Sequence, residues 1–400
     1  MTFAAERLAS CDAAILYAGA GLDAAVPERA QLMRTAPAGR LVAPLFPPYA
    51  YPRPAPEWLR GDDPVEAVAL EAAFAAIDRR HPCGPPCGLF VLDDATLRDN
   101  VLHAGGRIVY ETYRPPDRPG LTLAEDDALA RAEPHGAEVA FFFSSSGSFN
   151  YGHWLVDDLP RLAGFRTLRR LYPDHRITLL LTGYGAASDE IRRRTIRLFL
   201  GDAAGVEIVF LPRDAAFCFP RLYYATPVSI HPASKSPEAL RFVRGHLLRQ
   251  AGEVRRKLAR EAWRGGDPGA GRRIYVDRAP QWDRALVNRD AVLDLVRARG
   301  FTVVDPEPLS FSRQVATFAR ARAVVGPMGA AMTSTLFCPP HATVLHLAAE
   351  GWTDPFFWDL AAALGHRYRA LHGASPTPRP PPNREPYRID LDRLDAMLPR

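Results

Sequence analysis

The sequence predicts an α/β protein, and three observations carry that prediction. Short apolar runs alternate with helical patterns through residues 273–371. The strand candidates there are almost continuously apolar, as expected when both faces of a parallel sheet are covered. The helical patterns between them open on capping residues and stop at glycine, as Asn288 and Gly300 do around 288–300.

In order, strands are expected at 273–277 (RIYVD), 301–305 (FTVVD), 323–326 (AVVG), 343–348 (TVLHLA) and 367–371 (RYRAL). Helices are expected at 288–300, 310–321, 329–337 and 354–365. Strands and helices in that alternation make a parallel, doubly wound sheet.

Upstream, 88–116 breaks short apolar runs with Asp-Asp and Gly-Gly, which suits strands and a hairpin. Residues 138–150 (EVAFFFSSSGSFN) read as a buried strand followed by a small-residue loop. A helix comes after it, capped by Ser148 or Asn150, with Leu155, Leu159 and Leu162 as its apolar stripe. Pro160 lies inside that pattern and predicts a kink or break near Asp157. A strand at 176–182, a helix at 188–201, a strand at 206–212 and a helix at 236–252 with Pro237 in its first turn come next.

The Gly-rich stretch closing 255–273 reads as an inter-domain linker. Three regions are therefore expected: an irregular lead-in, 1–87; an N-terminal Rossmann-like domain with a small β region, 88–260; and a C-terminal Rossmann-like domain, 261–400. The Pro-rich segment 375–386 leads to a short terminal helix that could cross back onto the first domain.

Composition narrows the function classes. The hydrophobic fraction of 47% and charged fraction of 24% are those of an ordinary globular protein. The net charge is +5, with arginine supplying almost all the positive groups, since Lys235 and Lys257 are the only lysines. No dense basic block interleaves with aromatics, so nucleic acid is not an expected partner. Five cysteines in a chain of this length do not make a disulfide framework, and His81, Cys83 and Cys87 lack the further ligand a zinc site needs. Neither a signal peptide nor an apolar run of spanning length is found, and a cytoplasmic location is expected.

Candidate chemistry falls in two places. His153, Asp157 and Arg161 recur every four residues and share one helical face, either a solvated stripe or the wall of a site. The turn VVGPMGAAMT lies at a strand's carboxyl end, where open parallel sheets bind ligands. There Gly326 and Gly329 flank the turn, and Ala330 and Ala331 leave the helix mouth clear for a phosphate. Arg278, Arg284, Glu307 and Gln314 fall at neighbouring strand ends. Together they could hold a nucleoside diphosphate, with Arg on the phosphates and an acid on the ribose or base. Surface exposure for Arg284 and loop capping for Glu307 are the plain alternatives.

These motifs in this order resemble glycosyltransferase family 61, including its bacterial capsular-polysaccharide type. The resemblance spans roughly 90–400. It rests on NYGHWLVDDLPRL, on Arg278, Arg284 and Asn288 after RIYVD, on residues 300–337 and on FFWDLAAALGHRY. It implies a GT-B fold, two Rossmann-like domains facing across a cleft, and inverting transfer from a nucleotide sugar held mainly by the C-terminal domain. Asn150, His153 and Asp157 match the family's Asn-x-x-His-x-x-x-Asp pattern, which implies that His153 or Asp157 is the base and that Asn150 contacts substrate. Arg161 would reach the donor phosphates or pair with Asp157. Met328 stands where the family usually has His, and Met cannot donate a hydrogen bond. Asp277 replaces the usual Ser before Arg278.

The resemblance therefore implies a glycosyltransferase with a nucleotide-sugar donor, a UDP-sugar first among the candidates. Its acceptor is a glycan or lipid-linked glycan. No obligatory metal or cofactor is expected, and peripheral association with a membrane polysaccharide machinery is compatible with the sequence. The alternative is a catalytically degenerate nucleotide-sugar-binding regulator or scaffold, which Met328 favours. A dehydrogenase is disfavoured, because no G-x-G-x-x-G follows a strand.

Overall fold

The computed structural model describes residues 39–59, 72, 74–75, 84–104, 107–112, 132–230, 233–264, 271–279, 283–350, 352, 354–375 and 385–399. His81, Cys83 and most of the Pro-rich segment 375–386 lie outside the described residues. The described residues within 1–49 and 83–229 form one compact unit, and those within 50–82 and 230–400 form a second. This division falls at 229/230, whereas the sequence placed it at 260/261.

The first unit holds β1 (Arg40–Phe46), whereas β2 (Glu57–Leu59) joins the sheet of the second. The lead-in is therefore not wholly irregular: it supplies a strand to each unit. The first sheet continues with β3 (Cys87–Arg98), β4 (Val101–Ala104), β5 (Arg107–Ile108), β6 (Glu133–Pro134), β7 (Val139–Phe142), β8 (Ile177–Thr182), β9 (Val206–Leu211) and β10 (Ala216–Ala225). Its order is β5-β4-β3-β10-β7-β8-β9, with β1 on β3 and β6 on β10. β10, β7, β8 and β9 run parallel, and β3 is antiparallel to β10. Helices α1 (Ala163–Leu171) and α2 (Ala186–Leu200) lie within the parallel part of the chain.

β10 is the central strand that sequence reasoning missed. Pro220 interrupts its run, and proline inside a strand argues against a central position. The ladder accommodates it. Pairing steps from Phe219–Ala95 to Arg221–Asp93, and Asp94 takes φ +49 where Pro220 has no N–H to offer. From β7 the chain moves outward to β8 and β9, then returns to place β10 on the other side of β7. The strand order thus reverses between β7 and β10.

The second unit opens with α3 (Pro237–Gln250), capped by Ser236 Oγ on the Ala239 amide, and α4 (Gly252–Arg264). Its sheet contains β11 (Arg273–Val276), β12 (Thr302–Val304), β13 (Ala323–Pro327), β14 (Thr343–Ala349) and β15 (Arg367–Gly373). Between and after these strands come α5 (Arg289–Ala298), α6 (Phe311–Phe318), α7 (Phe356–Leu364) and α8 (Leu391–Met397). The order is β12-β11-β13-β14-β15-β2, every pairing parallel. All five strands expected between 273 and 371 form, and β2 adds a sixth. The order reverses between β11 and β13, the topological switch point at which such sheets bind ligands.

Packing explains where the division falls. α3 lies against α6, α7 and the 3-10 segment Ala330–Phe337, and α4 against α6. Both helices thus belong to the second unit, not to the domain ending at 260. The terminal helix likewise packs on its own unit. Leu394, Met397 and Leu398 join Tyr275, Leu345 and Leu371 in one apolar core.

A buried ionic cluster pins the early chain to α7. Asp359 accepts from Tyr51 Oη (2.7 Å), Arg53 Nε (2.7 Å) and Lys235 Nζ (3.1 Å). One of the chain's two lysines is thus fully buried. Burial opposes ionisation of Asp359, but Lys235, Arg53 and Tyr51 outweigh it and hold the carboxyl below its ordinary range.

Candidate functional site

The first candidate site lies where the strand order of the first unit reverses. β7 is buried throughout and ends in the loop 143–150. Asn150 caps the helix after this loop: its Oδ1 accepts from the Gly152 amide at 2.8 Å. This engagement is the structural part of the role expected for Asn150.

The helix then changes pitch. It is α-helical over Tyr151–His153, π-helical over Trp154–Asp158 and 3-10 over Leu159–Leu162 before α1 begins at Ala163. The cause is Pro160, which has no N–H for the carbonyl one turn back. The Leu159 amide bonds the Trp154 carbonyl instead, five residues away. Such single π turns occur frequently at functional sites.

The wider turn separates the two adjacent carboxylates. Asp157 Oδ2 lies 2.8 Å from His153 Nδ1, with both side chains partly open to solvent. A carboxylate at Nδ1 favours the tautomer protonated there, which leaves Nε2 with a lone pair. Asp158 turns inward and is buried. It accepts from Ser145 Oγ (2.9 Å), Ser148 Oγ (2.6 Å) and Arg161 Nη1 (3.0 Å). Burial pushes its carboxyl above the ordinary range, with Arg161 opposing.

The role expected for Arg161 is corrected here. Its guanidinium pairs with Asp158 and not with Asp157, and it is buried. Nε and Nη2 both donate to the Ala225 carbonyl, and Nη1 also reaches the Ser144 carbonyl at 3.4 Å. Its donors tie the end of β7 to the end of β10 and are not turned to a ligand. Asp158 is the residue sequence reasoning underweighted. An Asp-Asp doublet with Arg three residues beyond was the available signal.

The polar network extends from this pair. Ser144 Oγ meets Ser148 Oγ at 3.0 Å, and Asn100 Nδ2 donates to Asp99 (2.7 Å) and to Tyr184 Oη (2.6 Å). Tyr184 Oη donates to the Ser145 carbonyl at 3.1 Å. The loop that leads into the helix bearing the His153–Asp157 couple is thus hydrogen-bonded to residues at the ends of neighbouring strands.

The second candidate site lies at the switch point of the second unit. Asp277, at the end of β11, is ion-paired with Arg289 and accepts the Arg278 amide at 2.9 Å. Its carboxylate therefore does not neutralise the Arg278 guanidinium, despite adjacency in sequence. Arg278 Nη2 donates to the Asp283 carbonyl at 3.0 Å. Arg284 adopts φ +67, a backbone region costly for a side-chain-bearing residue, and its guanidinium stacks 4.8 Å from the Trp352 ring centroid. Neither arginine forms an ion pair among the described residues. Nε of each is buried and has no acceptor among the described residues. Burial lowers the pKa of both, and Arg278 lowers that of Arg284 further. Two half-buried guanidinium groups without a carboxylate partner make a site suited to an anion.

The glycines of the turn keep this site open by close approach. A Cβ on Gly329 would lie 2.4 Å from Arg278 Nη1, and one on Gly326 would lie 2.7 Å from the Val276 carbonyl. Gly329 and Arg278 are brought together, as are Ala330 and Ala331 at the start of the 3-10 segment Ala330–Phe337. That segment was expected to be α-helical. Met328 is buried, and its amide bonds the Leu347 carbonyl at 2.9 Å.

The other expected residues are placed differently. Glu307 is exposed after β12, and its amide bonds Asp305 Oδ1. Gln314 Nε2 donates to the Pro306 and Leu309 carbonyls, closing the turn before α6. Asn288 does not cap α5 with its side chain. It exchanges two hydrogen bonds with the Ile389 backbone, holding the terminal segment against the loop that carries Arg284. Tyr387, beside that loop, bonds the Leu347 carbonyl at 3.0 Å. Tyr387 and Trp352 carried no signal in the sequence, because both reach the site from distant chain segments.

Among the described residues, no group of three or more His, Cys, Asp or Glu could hold a metal ion, and no helix is long and apolar enough to cross a membrane.

Residues 151–345 match the model of the family described as Glycosyltransferase 61. This span is just under half of the chain and includes His153, Asp157, Arg278, Arg284 and the 326–331 turn. The match supports glycosyltransferase family 61 and, with it, glycosyltransferase activity. No curated protein matches the chain. Among solved structures, thiosulfate sulfurtransferase from Pseudomonas aeruginosa aligns at 14% identity over 69% of this chain, with a TM-score of 0.18. The alignment spans 45% of that structure, and the TM-score is too low to indicate a shared fold.

Proposed function

We propose that the protein is an inverting glycosyltransferase that moves a sugar from a nucleotide-sugar donor to a glycan or lipid-linked glycan acceptor. The observation that carries this reading is the His153–Asp157 couple, 2.8 Å apart, inside the segment that matches the family. The couple acts as general base on an acceptor hydroxyl. As that oxygen bonds the anomeric carbon, the bond to the leaving diphosphate breaks and its electron pair departs with the phosphate. Arg278 and Arg284 meet the charge that develops there. Protein cations do this work, so the reading includes no obligatory divalent ion.

A UDP-sugar is the first donor to test. A GT-B arrangement, a role in surface or capsular polysaccharide synthesis, and a cytoplasmic location with peripheral attachment to the inner membrane belong to the same proposal. They rest on the resemblance.

Met328 favours a second reading, a nucleotide-sugar-binding regulator without turnover. Calorimetric titration with UDP and UDP-sugars, paired with a turnover assay, separates the two. The enzyme reading expects binding, with hydrolysis or transfer that falls by about 10²–10⁴ in His153→Ala. Binding without turnover, unaltered by His153→Ala, would establish the regulator.

A further inference from the structure

Trp352 lies beside the paired arginines, and sequence reasoning assigned it no role. It lies just beyond β14, and its amide bonds the Ala349 carbonyl at 3.2 Å. Its ring lies 4.8 Å from the Arg284 guanidinium carbon. Among the described residues, its buried indole Nε1–H has no acceptor, nor do Arg278 Nε and Arg284 Nε. A buried indole N–H usually finds a partner, and an unmade hydrogen bond there is costly.

The three groups share one chemistry. Each is a donor that cannot accept, and no carboxylate is ion-paired to either arginine among the described residues. All belong to loops that leave the carboxyl ends of β11 and β14, on either side of β13 and its glycine turn. A ligand rich in acceptor oxygens would satisfy all three donors at once.

We infer that Trp352 is a ligand-binding residue of the anion site, donating its indole N–H to a phosphate oxygen while its ring holds Arg284 in place. The inference rests on the donor-binding half of the proposed function and adds a specific contact to it. The ligand group is a diphosphate, free or esterified. It binds by hydrogen bonds and arginine charge without a bridging metal.

The test is calorimetric titration of inorganic pyrophosphate, UDP and uridine in EDTA, on the full chain. Wild type is expected to bind pyrophosphate and UDP. Trp352→Phe keeps a ring for Arg284 but loses the N–H, and should weaken both roughly tenfold, as for one hydrogen bond to a charged acceptor. Uridine binding should not change. Trp352→His restores a ring N–H and should recover part of the loss; it also serves if the Phe variant does not fold. Equal pyrophosphate affinity in wild type, Trp352→Phe and Trp352→His overturns this inference and leaves the proposed function standing. Failure of wild type to bind either pyrophosphate or UDP overturns the donor site itself.

Discussion

His153 Nδ1 and Asp157 Oδ2 are 2.8 Å apart, one helical turn from each other, while the next residue, Asp158, faces the opposite way into the protein. One extra residue in the turn assigns two identical side chains to different tasks. Asp157 meets the imidazole, and Asp158 meets a buried arginine.

Asp157→Asn tests the outward carboxylate. It keeps an acceptor near Nδ1 but removes the negative charge that stabilises an imidazolium. Turnover is expected to fall by about 10²–10⁴, with the melting temperature nearly unchanged because the side chain is partly exposed. Steady-state rates and a thermal melt on the same preparation check this. A large stability loss with normal turnover would reverse the assignment.

Asp158→Ala tests the inward one. It strands Arg161 as an unpaired buried charge and should cost about 3–5 kcal/mol in urea unfolding. The double variant Asp158→Ala with Arg161→Met removes both charges and should be less destabilised than Asp158→Ala alone. Additive losses would show that the two residues do not act as a pair.

Gly329→Ala and Gly326→Ala differ only in what the new methyl group meets. At Gly329 it meets the tip of Arg278, which can move aside, so the fold should persist while UDP affinity falls. At Gly326 it meets the backbone carbonyl of Val276, which cannot, so stability should fall by about 1–3 kcal/mol. Paired melts and titrations distinguish the two outcomes.

Acid sensitivity should come from histidines. His346 is buried between the rings of Phe357 and Tyr368 with neither ring nitrogen bonded among the described residues, and burial lowers its pKa to about 3. Burial, helped by Arg244, lowers that of His366 to about 4. Unfolded histidine titrates near 6.5, so below that pH the unfolded chain takes up protons that the folded chain refuses. Stability is full above pH 6.5 and falls as the pH drops toward 4, by up to about 1.4 kcal/mol per pH unit for each histidine. Asp359, held below its ordinary range, adds a further loss only below about pH 5, where the unfolded carboxylate begins to take up protons that the folded one refuses. His346→Phe should flatten the urea-stability profile between pH 6.5 and 4 by one proton's worth; an unchanged slope would remove His346 from the account.

What the sequence alone determined was local or periodic. The five strands from Arg273 to Gly373 and the four-residue spacing of His153 and Asp157 depend on neighbouring residues, and all of them form. Tertiary structure decided what depends on distant partners. β10 tolerates Pro220 because Asp94 on β3 gives way, and β2 becomes a strand because β15 offers it an edge. Arg161 pairs with Asp158 because the π turn rotates that carboxylate inward, where the end of β10 holds the rest of the guanidinium. Trp352 meets Arg284 through packing of segments far apart in the chain, and a contact of that kind has no period or spacing by which a sequence could announce it.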